Sequence, residues 1–396
     1  MNEFDVVVLG QGLAGTTLAW RLRERGQRVL VIDRDAKGGS SKIAAGLMTP
    51  ITGRRLVKTW HWEIFWPAAC EFYRRAEAEL NAEFFYPRRM VRLLADESEK
   101  DYLDRRIASE FSGLVQQPQP LVNLDWFEEG LGGFEMLAGG RLNVAAFLQA
   151  SRDRFADDGM LLTAEIDVKQ DVVVTADGVQ LPRFGISARR AVFCQGIDAV
   201  QNPWFAHVRF KPAKGEILTV RIEGLPEERI IHRGVWLMPL AVRGKRGQPL
   251  SGQAISESNR LASKGSDPFC HGLQTDGLFR VGATYEWNDL NDIPTTVGRE
   301  EICSRLRDFL RLPFEVVAHD AAVRPIVLHQ YPVVGMHPDF PHLGFFNGLG
   351  SKGSLQAPWL ANHLAESLCS GQPIDPDVGM RHYDAHLRQT AERGSS

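Results

Sequence analysis

Cysteine is scarce in this chain: Cys70, Cys194, Cys270, Cys303 and Cys369 make an odd set of five with no CxxC spacing. That argues against a disulfide framework or a zinc site and fits a reducing compartment. Long apolar runs are missing as well. No stretch reaches the about 18 apolar residues that a membrane span requires. The opening "MNEFDVVVLGQG" carries acidic residues where the basic region of a signal peptide belongs. A cytoplasmic location without an integral membrane segment is therefore expected. Charge of one sign is also lacking. The formal net charge is −3, so no basic surface of the kind that draws nucleic acid is implied, and no nucleic-acid partner is expected. There is no GxSxG elbow and no His/Asp/Glu cluster at metal-ligand spacing, and no metal is expected.

What remains is ordinary globular material. The chain has 396 residues, 44% hydrophobic and 24% charged, enough for one large domain or two intimate ones around a substantial core. Its first segment is the most informative. Phe4 to Leu9 is an apolar, β-branched run, the pattern of a strand buried on both faces. Gly10, Gly12 and Gly15 follow at GxGxxG spacing around Gln11, Leu13 and Ala14. A helical pattern runs from Thr16 to Arg25, Gly26 ends it, and a second strand, "RVLVID", closes on Asp33. Gly10 permits the tight turn, Gly12 lets the backbone approach a pyrophosphate, and Gly15 allows close helix–strand packing. The helix N-terminus offers free N–H groups to phosphates, and Asp33 is placed to accept from a ribose diol. The spacing thus implies a dinucleotide site. The next stretch, "AKGGSSKIAAGLMTPITGRR", is a loop of small residues instead of a further βα unit. Backbone there can pass close to a flat ring, which favours FAD over a nicotinamide cofactor.

With those residues in hand, the chain resembles the D-amino-acid oxidase superfamily of flavoproteins, and within it the glycine oxidase and sarcosine oxidase branch. The resemblance implies an α/β fold: a Rossmann-like FAD-binding domain of the glutathione-reductase type, with an inserted antiparallel-sheet α+β substrate domain. Residues 1–80, 140–208 and 321–396 would form the first, and 81–139 and 209–320 the second. Around the fingerprint, Asp33 and Arg34 join Gly10, Gly12, Leu13, Ala14 and Gly15 as cofactor residues. Ser41, Lys42, Ala45, Gly46 and Leu47 match the family's loop against the flavin. Ile43 stands where histidine-linked members carry their histidine, so non-covalent FAD is implied. Val168, in a strand after "GGRLNVAAFLQASRDRFADDG", matches the adenine contact. Gln195 and Gly196 match the turn beneath the cofactor, with Cys194 beside them as packing. The late loop "FNGLGSKGSLQAP" supplies Gly348, Gly350, Ser351, Lys352 and Gly353. It resembles the family segment that brings a helix N-terminus to the pyrimidine end of the flavin.

The substrate side departs from the pattern. Trp236 replaces the tyrosine that glycine oxidase aims at the substrate carboxylate, and Ser351 replaces an arginine. Arg324 matches the arginine that holds the carboxylate in amino-acid oxidases, a task suited to a two-pronged guanidinium. A structural pairing with an acid such as Asp320 is the other reading. The implied activity is FAD-dependent oxidation of the C–N bond of a small amine or amino acid, by hydride transfer to flavin N5 and hydrolysis of the imine. Oxygen or another acceptor then reoxidises the flavin, helped by a nearby cation; Lys42, Lys352 and Arg280 are the candidates. Two alternatives stand within the fold, oxidation of a 2-hydroxy acid and flavin-dependent trimming of a tRNA base. A flavin-binding protein served by a redox partner is another. The run "TGRRLVKTWHWEIFWP" fits helix core (Trp60, Phe65, Trp66) or a wall over the site. Residues 243–270 read as an insertion between two strands.

Overall fold

Val6, Val7, Val8 and Leu9 are all buried, and alternation explains why four apolar residues run together. Val6 and Val8 enter one core with Val29, Val31 and Val192; Val7 and Leu9 enter another with Leu30, Ile32, Ala191 and Phe193. Such double burial marks a parallel sheet covered on both faces. In the computed structural model, which describes residues 2–36, 38–240, 277–328, 331–374 and 379–380, that sheet has a parallel centre. Its order is Leu161–Thr163, Val29–Asp33, Asn2–Leu9, Ile186–Phe193 and Leu343–Asn347. The helices Leu13–Glu24 and Gly353–Ser370 pack on each other over one face. This half thus brings an early helix and a late helix of the chain together.

A second, eight-stranded sheet runs Glu315–Arg324, Ala213–Arg221, Leu278–Gly282, Val235–Pro239, Ile230–Arg233, Met90–Leu93, Gly133–Met136 and Val115–Gln116. Its pairings are antiparallel apart from Ile230–Arg233 with Met90–Leu93, so the expected antiparallel sheet is mixed at one seam. Period-two alternation divides its faces. Leu218, Val220, Leu237 and Val281 bury against Ile302 and Leu306 of helix Thr296–Arg307. The intervening residues Ile217, Trp236 and Gly282 face a cavity between this sheet and the parallel one. A small sheet of Leu47–Met48, Gly140–Leu142 and Phe85–Pro87 holds the small-residue loop at its edge.

The tryptophan run is core. Helix Trp62–Leu80 buries Trp62 and Phe65, Trp60 and Trp66 pack against the same cluster, and none of them lines the cavity. Segment 243–270 lies outside the described residues. Among the described residues, no helix is long and apolar enough to cross a membrane, no His/Cys/Asp/Glu group has the makings of a metal site, and the four cysteines are free thiols.

Candidate active site

Both sheets and the loops at the C-terminal ends of the parallel strands enclose a cavity of about 810 Å³. Its first section is built by the glycine turn. Gly10 has φ of +107°, and a Cβ there would stand 2.5 Å from the Cys194 carbonyl oxygen. A Cβ on Gly15 would overlap the Gly10 carbonyl oxygen, so Gly15 lies beneath the turn and closes it without lining the cavity. Gly10, Gly12, Leu13 and Ala14 do line it. The Asp33 carboxylate accepts from Gln11 N at 2.8 Å and from Asp35 N at 2.8 Å. Arg152 steadies it at 3.3 Å while donating to Gln11 Oε1 at 2.7 Å. Arg152 went unseen in the sequence; its signal is an arginine on the helix Val144–Asp157 that ends buried. Arg34 sits at the rim, paired with Asp198 and Glu165.

The middle section is lined by Ser41, Lys42, Ala45, Gly46 and Leu47 on one side and by Gln195, Gly196, Gly350, Ser351, Lys352 and Gly353 on the other. Gly46 has φ of +73°, and a Cβ would run into the Leu142 carbonyl. Ser41 Oγ accepts from Leu13 N at 3.2 Å. Asn347, unremarked in the sequence although it is the polar end of an apolar strand, donates to the Gly196 carbonyl at 2.8 Å and so ties the two loops together. Neither N-cap residue, Gly12 of helix Leu13–Glu24 or Lys352 of helix Gly353–Ser370, caps its helix with its own side chain, and both first turns line the cavity. Their positive dipole ends therefore point into it.

Three expected cofactor or cation residues stand elsewhere. Val168 begins a short helix outside the lining, where Ala164, Glu165 and Ile166 take the place expected of it. The strand Leu161–Thr163 ends five residues before Val168. Gly348, with φ of +78°, packs on Val327 and does not line the cavity. Arg280 is absent from the lining and pairs with Asp320 at 3.2 Å. Of the other two cations, Lys42 pairs with Asp35 at 2.7 Å. Lys352 lines the cavity with no ion pair among the described residues, and burial pulls its pKa below the usual lysine value. The Cys194 thiol is pushed up by burial, as a packing residue should be.

The last section carries Arg324. Its guanidinium stacks over the Tyr285 ring at 4.2 Å and donates to the Thr284 carbonyl at 3.2 Å. Asp320, the acid that could have neutralised it, is engaged by Arg280 instead. Arg324 makes no ion pair among the described residues, and burial lowers its pKa from the usual arginine value. Room for it comes from Gly215 on the neighbouring strand, where a Cβ would overlap the guanidinium. Trp236 is accommodated likewise: its Cζ2 stands 3.0 Å from where a Cβ of Gly282 would be. Two glycines of the sheet thus make space for Arg324 and Trp236.

A glycine-closed turn, a fixed carboxylate, two helix N-termini and a guanidinium with no acid partner among the described residues share one cavity, and residues 5–367 match the family of FAD dependent oxidoreductases designated DAO. The chain belongs to that family. It is 23% identical to the bifunctional protein MnmC of tRNA 5-methylaminomethyl-2-thiouridine biosynthesis from Marinobacter nauticus, over 92% of this chain and 55% of that protein. The chain therefore spans about half the length of that relative. It is also 23% identical to glycine oxidase of Bacillus licheniformis, over 94% of this chain and 95% of the relative. Glycine oxidase of Geobacillus kaustophilus has the same fold, with a TM-score of 0.71 at 19% identity, covering 95% of this chain and 97% of that one. The residues present fit FAD. A turn that tolerates no Cβ at Gly10 or Gly15 leaves backbone bare for a pyrophosphate. Asp33 is held at the strand end, and small residues face the sheet.

Proposed function

We propose that the protein oxidises the C–N bond of a small amine or amino acid that carries a carboxylate. The observation behind this reading is Arg324, a cavity-lining guanidinium with no acid partner among the described residues. The glycine turn and the late loop would hold FAD, without a covalent link, and FAD so bound would supply the two-electron acceptor. Arg324 fixes the carboxylate by a two-pronged, charge-assisted contact. Trp236 offers an indole face and one N–H where a tyrosine would offer a hydroxyl. Loss of a hydride from the carbon bonded to nitrogen lets the nitrogen lone pair form C=N; water then adds, and a carbonyl compound and an amine leave. The carboxylates among the lining residues, Asp33, Glu165, Asp198 and Asp292, keep to the fingerprint side: three gather about Arg34 and Arg152 and Asp292 stands against Gly38. Among the described residues no lining acid is therefore placed to serve as a base beside Arg324, in keeping with a hydride leaving from the neutral amine. Lys352 and the N-terminus of helix Gly353–Ser370 contribute positive potential at the opposite edge.

The test is anaerobic reduction of the bound flavin by a panel of N-methyl, D- and L-amino acids, with 2-hydroxy acids alongside. Bleaching by amines, with ammonia or amine released on oxidation, is expected. Bleaching by hydroxy acids alone, or reaction only with a modified tRNA, would replace the proposal. A second expectation concerns Gly215→Ala. The new methyl group must displace the guanidinium and not the backbone, so the variant should fold and keep FAD while substrate KM rises about tenfold, the scale of one misplaced charged hydrogen bond. An unchanged KM would show that Arg324 does not need that space.

A further inference from the structure

The cavity continues beyond Arg324 along the floor of the same sheet. Register sets one lateral row: Ile217 opposite Gly282, Gly282 opposite Trp236, Trp236 opposite His232, and His232 opposite Arg92. Directly opposed residues share a face, and all five line the cavity. Strands lie about 4.8 Å apart and Gly215 lies two residues, about 6.6 Å, along its strand from this row, so the backbone of His232 stands about 16 Å from that of Gly215 beneath the Arg324 guanidinium.

This far end is mostly apolar, with Met48, Met90, Phe134 and Met136 in its lining. Thr49 is polar there, its Oγ1 3.2 Å from Met136 Sδ, and Arg92 and His232 are the titratable exceptions. Arg92 Nη1 stands 2.6 Å from His232 Nδ1, and Nη2 bonds Glu99, whose second oxygen accepts from Ala95 N at 3.1 Å. Glu99 is fully buried, so it balances the charge of Arg92 inside the protein. Burial, with Arg92 alongside, holds the His232 pKa well below the usual histidine value, and the ring is neutral. A neutral imidazole offers one donor and one acceptor. Arg92 Nε is buried without a partner. Arg92 Nη1 also lies 3.2 Å from His232 Nε2, so the end is polar and uncharged in sum, and its spare hydrogen-bonding capacity is the Arg92 Nε–H.

We propose that Arg92 and His232 form a distal subsite that binds an uncharged, hydrogen-bonding head group of the same molecule whose carboxylate Arg324 holds. The inference rests on the amine reading for the place of the carboxylate and deepens it by naming a substrate class: amino acids with an amide- or ureide-type head several bonds from the carboxylate. The lengths are comparable. Seven bonds separate the carboxylate carbon of citrulline from its terminal nitrogen, about 8 Å when extended. A hydrogen bond of about 2.9 Å at each end brings the reach to about 14 Å. A glycine-sized substrate leaves the distal pair untouched, an alkyl chain leaves its donors unpaired, and a second carboxylate meets no net positive charge there.

The test compares both enantiomers of citrulline, of 2-aminooctanoate (equal in length, with no head group) and of alanine on the FAD-loaded protein. Binding is read from the perturbation of the flavin absorption band under anaerobic conditions, and turnover as kcat and KM. Citrulline should be favoured over 2-aminooctanoate about tenfold, through Kd or KM. His232→Leu should abolish that preference, and His232→Gln, which keeps a donor and an acceptor, should restore most of it. Equal binding of the two long compounds, a preference that survives His232→Leu, or a loss shared equally by alanine would each overturn the subsite. Failure of the amine reading looks different: no amine reduces the flavin, while the binding preference is still measured on the same compounds.

Discussion

Replacing Arg324 with methionine is expected to lower kcat/KM for a carboxylate-bearing amine about 100-fold, or ~2.8 kcal/mol, chiefly through KM. Arg324→Lys should recover part of it, to within about tenfold of the parent, because an ammonium supplies charge without the fork. What sets this apart from loss of a structural arginine is the stability that accompanies it. A buried arginine in an ion pair leaves an uncompensated acid when removed, at a cost of several kcal/mol. Arg324 has no acid to abandon among the described residues; it stacks on Tyr285 and donates one bond to the Thr284 carbonyl. Those contacts are worth roughly 1–2 kcal/mol, and relief of a buried, unneutralised cation offsets them. The melting temperature of the FAD-loaded variant should therefore stay within about 3 °C of the parent. A drop of 10 °C with unchanged KM would assign Arg324 to the scaffold.

The fold was largely legible because its strongest signals are local. A strand, three glycines, a helix, a strand and an acid fall within thirty residues, and both ends of the chain carry the pattern of elements that pack together. The small-residue loop at Ala45 and Gly46 and the late loop at Gly350 to Gly353 were legible for the same reason: backbone that must come close to something leaves glycine in the sequence. Charge partners were not. Lys42 and Arg280 look like free cations in one dimension, and only the assembled fold sets Asp35 beside one and Asp320 beside the other. Lateral neighbours in a sheet are hidden too, since register between strands distant in sequence is a tertiary property. His232 and Arg92 are 140 residues apart, and nothing local to either announces the other. Gly215 and Gly282 are an intermediate case, visible as glycines inside strands but explained only by the side chains lying over them.

The fingerprint glycines make the most severe prediction, and they should fail in two different ways. A methyl group on Gly15 would overlap the Gly10 carbonyl oxygen. Neither atom can yield alone, since Gly10 N donates to the Ile32 carbonyl at 2.9 Å and so ties the turn to the second strand. Gly15→Ala must push helix Leu13–Glu24 off the sheet, where Leu18, Ala19 and Leu22 are fully buried, or abandon the turn. The expected product is colourless protein, with FAD affinity lowered more than 100-fold and a melting temperature that excess FAD no longer raises. Gly12 differs. Its φ is −80°, open to any residue, and an added Cβ would meet only Ser41 Oγ at 3.1 Å, a side chain able to turn away. Gly12→Ala should fold with the apoprotein's stability intact and still lose FAD, because the methyl group occupies the path of the pyrophosphate and not that of the protein. Circular dichroism melts of the two apoproteins, set beside FAD titrations, separate these outcomes. If Gly12→Ala bound FAD normally, the pyrophosphate would not pass this turn.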